Sequence, residues 1–253
     1  MKSKKHYLST IYAMVMVMIL WELLYLSLDS FVVPDPLQVL LYTFKNSGQL
    51  LRHLSASLGR ILAGLTLTLV IGGGLGIVLG ANKHLDRYIT PIVYLISPVP
   101  RIAFLPDFMN LFGLGDLSKV ILIFAISVFH LIVNVRDSIY HLPEHLFLTA
   151  KTWGLTRSQR LFSFIIPAAM PSIFTSLKIV IGSSMVAVFF AENYATRLGI
   201  GCYIMNAWIK VDYVEMYSGI VVISLCGMGL FKLIEWIENL VCKWKDVPTR
   251  EEI

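Results

Sequence analysis

Charge is what this 253-residue sequence has least of: Asp, Glu, Lys and Arg make up 15% of it, against about a quarter in an ordinary soluble domain. That scarcity excludes an ordinary soluble fold. The sequence also has no G-x-x-x-x-G-K-[ST] loop, the turn whose backbone N–H groups cradle nucleotide phosphates. No cofactor is therefore expected on this chain, and any energy taken from ATP must come through another polypeptide. Cysteine is sparse: Cys202, Cys226 and Cys242 are scattered, odd in number and without metal-ligand spacing, which argues against a disulfide framework or a zinc site. His141 and His145 stand four apart, but Pro143 lies between them and no third ligand is near, so no metal site is expected there. A membrane-embedded enzyme would need a cluster of intramembrane His, Asp or Glu, and only scattered candidates such as Glu22 and His130 occur. A secondary transporter or channel is a further alternative, but no inverted repeat or carboxylate relay supports it.

Apolar residues fill the space that charge leaves. The chain is 57% hydrophobic with a mean hydropathy of +0.73, which places it among polytopic all-α membrane proteins. Six apolar segments near 8–28, 55–80, 89–112, 117–139, 166–191 and 214–240 are long enough to cross a hydrocarbon core of about 30 Å. The first follows a basic start but is long for a signal peptide and lacks a small-x-small cleavage site before Asp29, so it reads as a retained helix. With a cytoplasmic N-terminus, Lys2, Lys4, Lys5, Lys83, Arg87, Arg136, Lys151, Arg157, Arg160, Lys243, Lys245 and Arg250 fall inside. Lys45, Arg52, Lys119, Arg197 and Lys210 fall outside. The positive-inside rule favours that topology, with both termini cytoplasmic. It also accounts for the net charge of +5 without any nucleic-acid partner.

Several local patterns interrupt the apolar background. Val33-Pro34-Asp35-Pro36 opens an outer element in which Leu37, Leu40, Leu41 and Phe44 recur at helical spacing, either a packed connector or a docking site. Gly72, Gly76 and Gly80 form a small-xxx-small stripe for close helix packing, within one subunit or between two. Arg60, near the outer end of the second span, reads as a snorkelling or helix-capping residue. Pro98, Pro100 and Pro106 cannot sit in a regular helix. Broken backbone at membrane depth is shielded by protein or lines a water-filled cavity, so Pro98, Pro100, Arg101 and Phe104 are candidates for a translocation pathway, with a packing kink as the alternative. His130 in the fourth span and Lys178 in the fifth are ionisable groups at membrane depth. His130 is either a hydrogen-bonded interior residue or part of that pathway; Lys178 either adds positive potential to it or pairs with a carboxylate. Glu192 and Arg197 belong to an outer loop, as gate or binding-protein contacts or as plain solvated charges. Trp236, Lys243, Trp244 and Lys245 suit the inner interface.

The long polar interruption of the second half runs from Pro143 to Pro171. Ala150 and Gly154 are four apart on one face of an expected short helix, Gly154 offers a break, and Pro167 and Pro171 mark entry to the next span. This stretch resembles the cytoplasmic "EAA" loop of ABC importer permeases, whose pattern is Glu-Ala-Ala, three residues, Gly, nine residues, then Ile-x-Leu-Pro. Ala150, Gly154 and Pro167 fall in register. Leu148 replaces the Glu and Thr149 the first Ala, while Phe164 and Ile166 stand at the apolar pair.

Other stretches extend the resemblance in family order: Pro34-Asp35-Pro36, Ser57-Leu58-Gly59-Arg60, Pro98-Val99-Pro100 through Pro106, Phe112-Gly113-Leu114-Gly115 with Ser118-Lys119, Ala191-Glu192 and Gly199-Ile200-Gly201. Together they look like the nitrate, taurine and aliphatic-sulfonate branch. The resemblance implies a type I ABC importer permease fold, with residues 1–253 as one transmembrane domain and 143–166 as its coupling loop. It implies a bacterial inner-membrane location, a second copy of the chain, two cytoplasmic ATPases that bind ATP and Mg, and an extracytoplasmic solute-binding protein. ATPase coupling would fall to Ala150, Thr152, Gly154, Leu155, Arg157 and Pro167. The solute would be small and anionic or zwitterionic.

Overall fold

The computed structural model describes residues 2–28, 31–143, 148–149 and 152–246, and every regular element among them is helical. We number the helices α1 (Lys2–Leu28), α2 (Pro36–Lys45), α3 (Ser47–Ala81), α4 (Lys83–Ile96), α5 (Leu105–Phe112), α6 (Asp116–Tyr140), α7 (Ser158–Glu192), α8 (Ile200–Ile209) and α9 (Tyr213–Val241). By length and composition α3, α6, α7 and α9 can each cross a membrane. α1 takes in the expected 8–28 span, with Tyr12–Leu28 as its described apolar part. One of the six expected spans differs. The expected 89–112 span is broken: α4 and the Arg101–Phe112 segment are bent by 77°, and form a fifth crossing only if the pair counts as one.

The chain divides into two compact units. The first holds the residues up to Ser57 and Arg197–Ser224. Here the Asp35 carboxylate caps α2 by accepting the Leu37 N–H at 2.8 Å, with Pro36 in the first turn, where its missing N–H costs nothing. Trp21 stacks on Tyr217 at 5.5 Å. The start of α8 has no cap from its own sequence; the Ile200 N–H donates to Ser57 Oγ at 2.8 Å, and the His53 ring bonds the Gly199 carbonyl at 2.9 Å.

The second unit, Leu58–Thr196 with the residues from Leu225, is organised around α6. Leu131, Val135 and Ile139 are fully buried and pack with Ile165, Ala169, Ile173, Phe174 and Leu177 of α7, joined by Cys242 beyond the end of α9. Its other side receives α3 on the glycine face. A Cβ added at Gly76 would lie 2.7 Å from Val135 Cβ, and one at Gly80 would lie 2.7 Å from Ile139 Cβ. The stripe is thus occupied within the subunit, by α6. α5 closes on the first half of α6 and the end of α7 through Leu105 and Met109, which cluster with Leu122 of α6 and Ala191 of α7.

Candidate functional site

Between α6 and α7 the chain forms a foot. Ala150 lies outside the described residues, but the pieces flanking it show how the foot is built. The Trp153 N–H closes a turn on the Thr149 carbonyl at 3.1 Å. Gly154 then takes φ +67°, the left-handed conformation that ends a helix without penalty only for glycine. Two residues on, Thr156 and Gln159 make a capping box: the Thr156 N–H donates to Gln159 Oε1 at 3.0 Å, and the Gln159 N–H donates to Thr156 Oγ1 at 3.3 Å. The T-R-S-Q spelling was the signal for this start. Leu148, Trp153 and Phe162 stand exposed, and the Trp153 ring packs edge-on to Phe164 at 5.8 Å. Thr152 bonds back to the Thr149 carbonyl, Arg157 lies in the first turn of the outgoing helix, and Pro167 follows a π-helical turn, Leu161–Ile165.

At the Pro98–Pro106 break, Arg101 satisfies the stranded end of α4. Its Nη2 donates to the Ile96 and Ser97 carbonyls at 2.8 and 2.6 Å, and the guanidinium lies 4.5 Å from the centre of the Phe129 ring. The helix end is thereby made tolerable away from water. Pro98, Pro100 and Phe104 are exposed beside it.

Four further cations of this unit are engaged. Lys178 Nζ meets Glu238 of α9 at 2.6 Å, the carboxylate pairing left open by the sequence. Arg136 binds Asp86 at the start of α4 and reaches Asp137 at 2.7 Å. Lys119, buried, donates to the Leu114 and Gly115 carbonyls, each at 3.0 Å. Arg60 is buried and joins Asp116 at 2.7 Å and Glu192 at 2.5 Å. Glu192 is 0% exposed, so the plain alternative of a solvated loop charge is corrected. The Arg60 contacts also replace snorkelling: its charge stays inside, neutralised by two helices. Arg197, in the first unit, is exposed.

Beside the foot, α6 and α7 flank an open groove of about 450 Å³, lined by Asn134, Asp137, Ser138 and His141 on one wall and by Ser172, Thr175, Ser176 and Ile179 on the other. On α6 these follow from His130 at steps of three and four residues, hence along one face. Lys178 points elsewhere, to α9. Of this face the sequence singled out His130 and His141 but not Asn134, Asp137 or Ser138, which are individually unremarkable; the helical spacing of polar residues inside an apolar helix was the available signal. Among the described residues no group of three or more His, Cys, Asp or Glu could hold a metal.

Comparison with known proteins follows the same line. The family described as binding-protein-dependent transport system inner membrane component matches residues 69–244. The chain is 28% identical to the nitrate import permease protein NrtB of Synechocystis, over 95% of this chain and 94% of that protein. It is 28% identical to the putative aliphatic sulfonates transport permease protein SsuC of Bacillus subtilis, over 85% and 79%. It is 25% identical to the bicarbonate transport system permease protein CmpB of Synechococcus elongatus, over 89% and 86%. Among solved structures, an inward-facing form of the MetNI methionine ABC transporter superposes with a TM-score of 0.64 at 18% identity, over 79% of this chain and 97% of that one. That likeness establishes a shared fold.

Proposed function

Since this chain belongs to the family of inner membrane components of binding-protein-dependent transport systems, we propose that it forms the membrane path of an importer powered by a separate ATPase and fed by an extracytoplasmic binding protein. The chain is a transport permease, not an enzyme. Its single most telling feature is the foot: a glycine in the left-handed conformation just ahead of α7, with Leu148, Trp153 and Phe162 presented outward. Exposed apolar side chains on a polar loop suit a protein groove, and we assign that groove to the ATPase. Ala150, Thr152, Gly154, Leu155, Arg157 and Pro167 are the proposed coupling residues.

The two units act as one permease domain, in keeping with a family match that takes in residues of both. Two copies of the chain build the path, with both termini and the foot cytoplasmic, as the distribution of Lys and Arg supports. Pro98, Pro100 and Phe104 line the path with His130, while Arg101 and Lys178 hold its walls. Glu192, through Arg60, and Arg197 belong to the outer gate. The solute is a small anion, a reading favoured by relatives named for nitrate, aliphatic sulfonates and bicarbonate.

Purification of the tagged chain from native membranes should bring down an ATPase and lose uptake when the nucleotide site of that partner is inactivated. Isolation without any ATPase would refute the assignment. Within such a complex, Gly154→Leu should leave insertion intact. The space around Gly154 is open, so the penalty is confined to the backbone, about 1–2 kcal/mol for a left-handed residue with a side chain. Uptake should fall at least tenfold while ATP hydrolysis ceases to respond to the loaded binding protein. Normal stimulation and transport in that variant would remove Gly154 from coupling.

A further inference from the structure

We propose that the groove between α6 and α7 is the foot-side segment of the solute path, and that it carries solute through water and neutral hydrogen-bonding groups, without a fixed cation. This rests on the permease reading above. Polar side chains on a membrane-length helix are costly against lipid and therefore face protein or a wet cavity. Here Asn134, Asp137 and Ser138 on α6 face Ser172 and Thr175 on α7 across an open groove of about 450 Å³ in which Ile179 is the one apolar residue of the described lining, where a lipid-facing surface would be mostly apolar. One turn deeper the same face of α6 continues to His130, which is exposed. His130 lies about 15 Å from the end of α6 at 1.5 Å per residue, so the polar line reaches well into the apolar span.

The hydroxyls of this face are partly committed to their own helices. Ser138 donates to the Asn134 carbonyl at 2.6 Å and Thr175 to the Pro171 carbonyl at 3.0 Å, so each hydroxyl oxygen keeps its acceptor capacity. On the described stretches of α6 and α7 that form the groove, the two cations are turned away or neutralised. Arg136 is bound to Asp86 and Asp137, and Lys178 to Glu238. A solute at this point meets amide, hydroxyl and imidazole groups and a carboxylate already paired with arginine. Such a wall holds a small polar solute loosely, in its hydrated form, and leaves discrimination of charge to the binding protein.

The test uses the assembled transporter in lipid nanodiscs, where both faces are open to reagent. Cys202, Cys226 and Cys242 are replaced by Ala, and single thiols are introduced as Thr175→Cys and, separately, Ser172→Cys, with Leu233→Cys on the exposed apolar side of α9 as the lipid control. The probes are a sulfonate-bearing and a trimethylammonium-bearing methanethiosulfonate, each rate being divided by that of a free thiol in solution. Both groove thiols should react, at least tenfold faster than Leu233→Cys, and the normalised anion-to-cation ratio should lie within about threefold of one. Groove thiols as inert as the α9 control would show a dry groove and overturn the proposal. A tenfold preference for the anionic probe would show a fixed positive field and overturn its second half. Retention of the ATPase on the same nanodiscs reports on the permease reading separately: inert thiols with the ATPase bound count against the groove alone.

Discussion

Gly76→Ala is expected to destabilise the protein by about 1–3 kcal/mol, the usual range for forcing extra volume into a packed contact, while Gly74→Ala two residues away leaves stability unchanged or slightly improved. The contrast follows from what each new methyl meets. At Gly76 it would sit 2.7 Å from Val135 Cβ and 2.9 Å from the Ile132 carbonyl oxygen. Neither a Cβ nor a backbone oxygen can rotate aside, so α3 and α6 must separate. At Gly74 nothing lies within 4 Å, and the substitution only removes glycine's backbone entropy, worth roughly 0.5–1 kcal/mol in a helix. Gly80→Ala should resemble Gly76→Ala, with Ile139 Cβ and the Arg136 carbonyl in the way. Thermal unfolding in detergent at matched protein concentration measures the difference. Equal melting temperatures for the Gly74 and Gly76 variants would mean that α3 does not approach α6 through this face. Gly76→Leu carries the same clash further and should leave little folded protein in the membrane.

The glycine stripe also marks where sequence stops being informative. Small residues at four-residue intervals declare a close contact, because lipid supplies no hydrophobic drive and backbone proximity must replace it. They do not declare the partner. Whether that face meets α6 or a second copy of the chain depends on how the helices are arranged. The proline break was legible for a similar local reason, since Pro98, Pro100 and Pro106 lack the donors a helix needs. The repair was not, because it comes from Arg101 reaching back to carbonyls four and five residues earlier, which depends on the angle of the bend. Lys178 illustrates the same limit over a longer range. Its cost at membrane depth required a partner, but Glu238 is 60 residues away, among several carboxylates of the last helix and tail. The Gly154 hinge was readable in full, because a helix-ending glycine is a property of one residue and its neighbours. The 89–112 segment was legible only in part for another reason: apolar length was read from composition, and composition does not register the bend after α4.

Arg60→Met is expected to destabilise the protein by about 3–5 kcal/mol, the range found when one partner of a buried ion pair is removed and the other is left behind. Glu192 is fully buried, and Arg60 Nη1 lies 2.5 Å from its Oε1. Without the guanidinium, that carboxylate loses this partner in a buried site, and taking up a proton limits the loss toward the lower figure. Asp116 also touches Arg60, at 2.7 Å, but its side chain is 72% exposed. Water screens that contact, so Asp116→Asn should cost no more than about 1 kcal/mol. The decisive variant is Arg60→Met combined with Glu192→Met. It removes both charges and keeps most of the volume, and should recover most of the stability lost in Arg60→Met. The coupling between the two positions in this cycle should then reach at least about 2 kcal/mol, whereas independent sites add within about 0.5. Additive losses would show that the two residues are not paired. Transport by the stable double variant answers a different question. If Arg60 and Glu192 only hold α3 to the end of α7, the apolar pair should support uptake. If the pair must open and close at the outer gate, the double variant should fold normally yet transport poorly, because an apolar contact offers no second carboxylate, as Asp116 does, for the arginine to move toward.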